Sequence, residues 1–177
     1  MVKENTTTDP QGELLIQVNK KNKIIGSIPR GKAHKTPGIF YRTIFVLVMN
    51  DKKETLIHKR SSTKDLYPGC WDLSVGGHVN YGDSYVETAA REAGEELWLK
   101  VSEEDLILKG EVLVNLNHSG EFFNVFEYHL KPGESVSASR EEIEETRWMS
   151  IKDIKRSMND KSLKWYERPL QIIAALY

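Results

Sequence analysis

The chain has 177 residues, and its 25 Lys and Arg against 26 Asp and Glu leave a net charge of −1. That balance gives no basic footprint, so no nucleic-acid partner is expected. The length suits one domain with a full core, and no apolar run approaches the roughly 20 residues of a membrane span, so no membrane partner is expected either.

The opening MVKENTTTDPQGE has no apolar core and is not a secretory signal; residues 1–12 read as a flexible tail. With the lone Cys70, which excludes an internal disulfide, this points to a soluble, cytoplasmic protein. Residues 13–177 read as a single domain whose first part, 13–35, is a hairpin arm: Leu14–Val18 and Ile24–Ile28 around a polar turn. Pro29-Arg30-Gly31 breaks the pattern. Thr43–Met49 is a strong strand whose unbroken apolarity predicts burial on both faces. Asn50–Lys53 turns it into a hairpin partner, Thr55–Arg60. A polar loop follows, ending in Tyr67-Pro68-Gly69, and Trp71–Ser74 is a short strand. Leu106–Asn115 and Phe122–Leu130 read as a strand pair around the turn 117–120. Glu141–Met149 starts acidic and ends as a short strand, Ser150–Ile154 reads as a capped helix, and Trp165–Tyr177 as a final amphipathic helix. By periodicity alone the class is α+β or α/β.

Between these strand sets lies the stretch that organises the chain, Gly76–Leu99, GGHVNYGDSYVETAAREAGEELWL. A glycine-rich loop becomes a helix at Asp83-Ser84, residues whose side chains accept from free backbone N–H groups. Val86, Ala89, Ala90, Ala93 and Leu97 form an apolar stripe, while Glu92, Glu95 and Glu96 share a flank one turn long. Like charges this close repel unless something cationic sits among them. Arg91 offsets one, and a hard cation such as Mg2+ suits the rest because it takes oxygen ligands. A merely solvated acidic face is the alternative.

The spacing resembles the Nudix box, G-x5-E-x7-R-E-U-x-E-E-x-G-U, with U bulky and apolar. Gly77, Arg91, Glu92, Glu95, Glu96 and Leu99 match it. Asp83 stands where the family has Glu, Ala93 where it prefers a larger residue, and Trp98 where it has Gly. The motif covers about a seventh of the chain. A left-handed cap costs a non-glycine about 1–2 kcal/mol, so Trp98 predicts a helix that runs on or ends differently. The resemblance implies an α/β class: a Nudix-type α/β/α sandwich over a mixed sheet, here with the N-terminal hairpin arm. It also implies a metal-dependent pyrophosphohydrolase acting on a small-molecule organic diphosphate, nucleoside-diphosphate-linked or other, with Mg2+ or Mn2+ as cofactor.

The arm and Tyr67-Pro68-Gly69-Cys70-Trp71 resemble the Nudix branch containing type I isopentenyl-diphosphate isomerases. Those enzymes carry a catalytic cysteine where this chain has Gly76, and Cys70 lies elsewhere. His34 matches one of their metal-binding histidines, and Tyr41 stands at the place of another. Their acidic segment on the later strand corresponds here to Phe122-Phe123-Asn124, without the carboxylates. An isomerase-like scaffold with hydrolase chemistry is therefore expected, with isomerase and non-catalytic binding module as alternatives and no assured catalytic role for His34 or His78.

By the same resemblance, Glu92 and Glu96 are the main metal ligands, assisted by Glu95 and the carbonyl of Gly76, while Arg91 orients the carboxylates. The base that activates water lies in many family members on a loop outside the box. Glu142 and Glu145, in the 141–145 cluster, are the candidates; an ordinary solvated loop is the alternative. Lys59, Arg60 and Lys64 are candidates for substrate phosphates, or solvated strand ends. The hairpin and the aromatic C-terminus are candidate surfaces for a homodimer.

Overall fold

The computed structural model describes residues 9–116 and 119–177. Its elements, in chain order, are β1 (Leu14–Val18), β2 (Ile24–Pro29), the short α1 (Arg30–Ala33), β3 (Phe40–Met49), β4 (Glu54–Arg60), β5 (Trp71–Leu73), β6 (Val75–His78), α2 (Tyr85–Leu97), β7 (Ile107–Leu116), β8 (Ser119–His129), β9 (Ile143–Ser150), α3 (Ile151–Asn159) and α4 (Glu167–Leu176).

β3 is the spine of the nine-stranded mixed sheet. It runs parallel to β8, from Phe40 opposite Gly120 to Met49 opposite His129, and antiparallel to β6 and β1. Helices cover both of its faces, so Thr43 to Met49 are all buried, as an unbroken apolar run requires. α2 covers one face: Ala89, Ala93 and Leu97 pack with Ile44, Val46, Val48 and Phe126. α3 and α4 cover the other: Ile154, Ile172 and Ile173 pack with Phe45, Leu47, Phe123 and Val125. This is the expected α/β/α layering, with few helices.

Several expectations change. β4 meets β3 in a single pair, Met49 with Thr55, and then diverges to pair with β5 and β9. The hairpin thus opens as soon as it forms, leaving a gap between the β3 and β4 ladders. β9 is longer than expected and begins at Ile143, so Glu144 and Glu145 are strand residues and not loop residues. Arg30–Ala33 forms a single helical turn where only a break was expected. The tail expected at 1–12 falls partly outside the described residues, but Asp9 within it is buried, 6% exposed. The turn expected at 117–120 falls partly on 117 and 118, outside the described residues, while Ser119 and Gly120 already belong to β8.

α2 begins as Asp83-Ser84 suggests. Ser84 caps it by accepting from the Glu87 N–H, while Glu87 Oε2 accepts from the Ser84 N–H at 2.8 Å. It ends otherwise than Trp98 suggests. Trp98 itself takes the left-handed cap, at φ 57°. Its N–H reaches the Gly94 carbonyl at 3.1 Å, and the Leu99 N–H reaches the Ala93 carbonyl at 3.3 Å. The cost of about 1–2 kcal/mol is offset because Leu99 is then turned into the core, a burial worth roughly 1.5–3 kcal/mol. Leu99 is 4% exposed and Trp98 itself 71%.

Candidate active site

The gap between the β3 and β4 ladders is a cavity of about 280 Å³. α2 supplies one wall. Its flank carries Arg91, Glu92, Glu95 and Glu96, and the glycine segment of β6 runs beneath. Gly77 is glycine for a steric reason: a Cβ there would lie 2.5 Å from Cδ of Glu92. Gly76 is equally constrained, since a Cβ would lie 2.6 Å from the Phe45 ring. The position of the isomerase cysteine therefore has no room for a side chain, and Cys70 is buried away from the cavity lining.

Arg91 holds two of the three glutamates. Its Nη1 donates to Glu95 Oε2 at 2.9 Å, and its Nη2 lies 2.9 Å from Glu92 Oε1 as an ion pair without hydrogen-bond alignment. Glu96 has no such partner: its Oε2 is buried and unsatisfied. Burial pushes the Glu92 carboxyl up to about 7, against the opposing pull of Arg91. Burial also raises Glu96 well above the carboxylate range, reinforced by the charges of Glu92 and Glu142. Both shifts come chiefly from burial, which the nearby Arg91, Arg60 and Lys64 charges do not reverse.

The cationic wall comes from β4 and the following loop. Arg60 is fixed by Asp72 at 3.2 Å and donates twice to the Leu66 carbonyl. Lys64 bridges Glu142 and Asp9. Glu142 reaches the cavity because its segment docks on the end of α2, with Ser139 N–H on the Glu96 carbonyl at 2.8 Å and Ser137 N–H on that of Leu97 at 3.1 Å.

Thus the structure brings together Gly76, Arg91, Glu92, Glu95, Glu96, Glu142, Arg60 and Lys64 around one cavity. It does not bring Lys59 or Glu145 there. Strand alternation places Lys59 on the opposite face from Arg60, where it pairs with Glu144 at 2.8 Å, and Glu145 is taken by Arg147 at 2.7 Å. His78 lines the cavity, with burial holding its pKa well below the usual range; its Nε2 lies 3.1 Å from Nε2 of His34.

Sequence reasoning missed three residues. Glu121, one position before Phe122-Phe123-Asn124, is fully buried and takes a two-point contact from Arg168 plus the Tyr41 hydroxyl. Arg168 sits late in the chain, and only a lone Arg in the apolar stripe of α4 marked it. The third is Asp9, hidden in the expected tail.

Among the described residues no three His, Cys, Asp or Glu side chains converge closely enough to hold a metal ion by themselves. The donor set still fits a hard divalent cation. Seven carboxylates line the cavity against five Lys and Arg, and the orphaned oxygen of Glu96 is among them. Mg2+ in particular is commonly held by one or two carboxylates, with water and phosphate oxygens completing its shell.

A model of the NUDIX domain matches residues 40–169. The chain belongs to the Nudix family. It is 38% identical over 88 residues to an uncharacterised Nudix hydrolase of Pseudomonas aeruginosa, covering 50% of this chain and 52% of that one. It is 28% identical over 146 residues to Nudix hydrolase 3 of Arabidopsis thaliana, covering 75% of this chain and 18% of that one. The chain spans about half the length of the first curated Nudix relatives it matches. Among solved structures, DR0079 of Deinococcus radiodurans superposes with a TM-score of 0.73 at 22% identity, covering 93% of this chain and 99% of that one. A bifunctional NMN adenylyltransferase/ADP ribose pyrophosphatase of Francisella tularensis, complexed with AMP and a Mn ion, gives 0.57 at 17% identity, covering 76% and 40%. These two show the fold that the Nudix chains share.

Proposed function

We propose that this Nudix chain hydrolyses the diphosphate linkage of a small organic molecule with the help of Mg2+ or Mn2+. The observation that carries the reading is the charge imbalance on α2: Glu92 and the orphaned oxygen of Glu96 face a cavity in which Arg60 and Lys64 are already paired with Asp72 and Glu142. Glu92 and Glu96 would hold the cation, with Glu95 and the Gly76 carbonyl in support. When bound, such an ion neutralises phosphate charge and makes water more acidic. Arg91 fixes the directions of Glu92 and Glu95. Arg60 and Lys64 face the substrate's phosphate oxygens. Glu142 accepts a proton from the attacking water as its oxygen bonds to phosphorus and the bridging P–O bond breaks. Lys64 Nζ, on Glu142 Oε2, holds that carboxylate in place for the step.

The test is a panel of diphosphates, including ADP-ribose, nucleoside diphosphates and isopentenyl diphosphate, with Mg2+ or Mn2+. Metal-dependent cleavage of one of them, lost in a folded Glu96→Gln protein, is the expected result. An isomerase would instead convert isopentenyl diphosphate without cleaving it. Wild-type turnover by Glu96→Gln at limiting Mg2+ would remove the ligand assignment.

A further inference from the structure

The carboxylate of Asp9 lies inside the cavity and is 2% exposed. Both of its oxygens are engaged. Oδ1 takes Arg30 Nη2 at 3.1 Å and Lys64 Nζ at 2.5 Å, and Oδ2 accepts from the Asp65 N–H at 2.9 Å. Two cations and one backbone N–H converging on one oxyanion are the donor set that also binds phosphate. We propose that Arg30, Lys64 and the Asp65 amide form a phosphate subsite of the cavity, that Asp9 occupies it as an internal stand-in, and that a phosphate group of the substrate displaces Asp9 on binding. The proposal rests on the diphosphate reading above.

An ordinary structural ion pair would leave its cations unpaired when removed. Here it does not. Arg30 keeps Asp65 Oδ1 at 3.1 Å and Glu13 Oε2 at 3.7 Å. Lys64 keeps Glu142. Asp9 is therefore surplus to holding the two side chains in place. Arg30 also has donor capacity to spare: its side chain is 9% exposed, and its buried Nε has no partner. A phosphate, with more acceptor oxygens than a carboxylate, can use what Asp9 leaves unused. The backbone also permits the exchange. Glu13 N–H on the Pro10 carbonyl at 3.2 Å and Gly31 N–H on the Gln11 carbonyl at 3.0 Å pin the chain from Pro10 onward. Withdrawing the Asp9 carboxylate thus need not disturb the chain beyond Pro10.

The consequence is a toll on every anionic ligand. A competitor in place nine-tenths of the time raises the apparent Kd about tenfold. The probe is inorganic diphosphate, titrated calorimetrically into the metal-free full chain. Asp9→Ala is expected to bind it about tenfold tighter than wild type, and Asp9→Ala with Lys64→Met is expected to lose that gain. Equal or weaker binding by a folded Asp9→Ala protein, or no binding by either protein, overturns the proposal. Should Asp9→Ala fail to fold, hydrogen exchange on the wild type decides. Saturating inorganic diphosphate should speed exchange at the Asp9 amide while Gln11 to Glu13 stay unchanged, and slowed or unchanged exchange at Asp9 overturns it. Neither arm depends on turnover, so failure of the hydrolase reading would show separately, as no cleavage across the diphosphate panel.

Discussion

Replacing Gly77 with alanine isolates the geometry of Glu92. Gly77 is not in the left-handed region, so alanine meets no backbone strain. It meets the glutamate instead. The new methyl would stand 2.5 Å from Cγ and Cδ of Glu92 and 2.6 Å from Oε1, where ordinary contact begins at 3.4 Å. The carboxylate must therefore retreat by about 1 Å, and a displacement of that size at a reacting centre can cost about 10²-fold in rate. The overpacking itself should cost about 1–3 kcal/mol, or several degrees in Tm for a domain of this size. We expect Gly77→Ala to remain folded, to bind Mn2+ at least tenfold more weakly by calorimetry, and to turn over about a hundredfold more slowly on whichever diphosphate the panel selects. Wild-type Mn2+ affinity and turnover in this variant would show that the position of Glu92 is not what the glycine protects.

Further outcomes follow from the same geometry. In EDTA, Glu92 holds its proton up to about pH 7 in the folded chain, against 4.5 for the free side chain. The folded state binds the extra proton between those values, so stability falls as pH rises through them, by about 3 kcal/mol. Glu92→Gln should flatten that fall, and an unchanged pH profile of Tm would refute the burial argument. If Glu142 is the base, Glu142→Gln lowers kcat by roughly 10²–10⁴-fold with little change in the Mg2+ midpoint, whereas Glu145→Gln, outside the cavity, changes neither. A larger loss from Glu145→Gln would relocate the base. Cys70→Ser should leave turnover within a few-fold of wild type, because the thiol does not line the cavity; a hundredfold loss in a folded protein would revive thiol chemistry.

How much could be read in advance depended on the distance over which each feature is determined. The start of α2, its buried alanines and its acidic flank were legible because capping and helical period act within a few residues. Trp98 misled because a local propensity was overridden from outside the helix, by the core position that Leu99 fills. Glu144 and Glu145 read as loop because nothing local marks them as strand; their pairing with β4 spans more than eighty residues. The Glu121–Arg168 contact was illegible for the same reason, as was Asp9, whose partners Arg30, Lys64 and Asp65 lie 21 to 56 positions along the chain. Once strands are paired, periodicity does separate Arg60 from Lys59, but it does not say in advance which of them faces the cavity.

The single shared pair between β3 and β4, Met49 with Thr55, makes the cavity a product of strand routing and not of loop excursion. The V between the two ladders exists whatever side chains fill its rim. Its apex is closed by main-chain hydrogen bonds, and its flanks are braced by two separate cores. Residues at its mouth, such as those of the 61–70 and 131–142 segments, are therefore released from any duty to keep the space open. The exposed ones among them, such as Ser62 and Glu141, can be exchanged for others of different size and charge at little risk to folding. A scaffold arranged this way tolerates wide retuning of what enters, while the glutamates on the one rigid helix stay where they are.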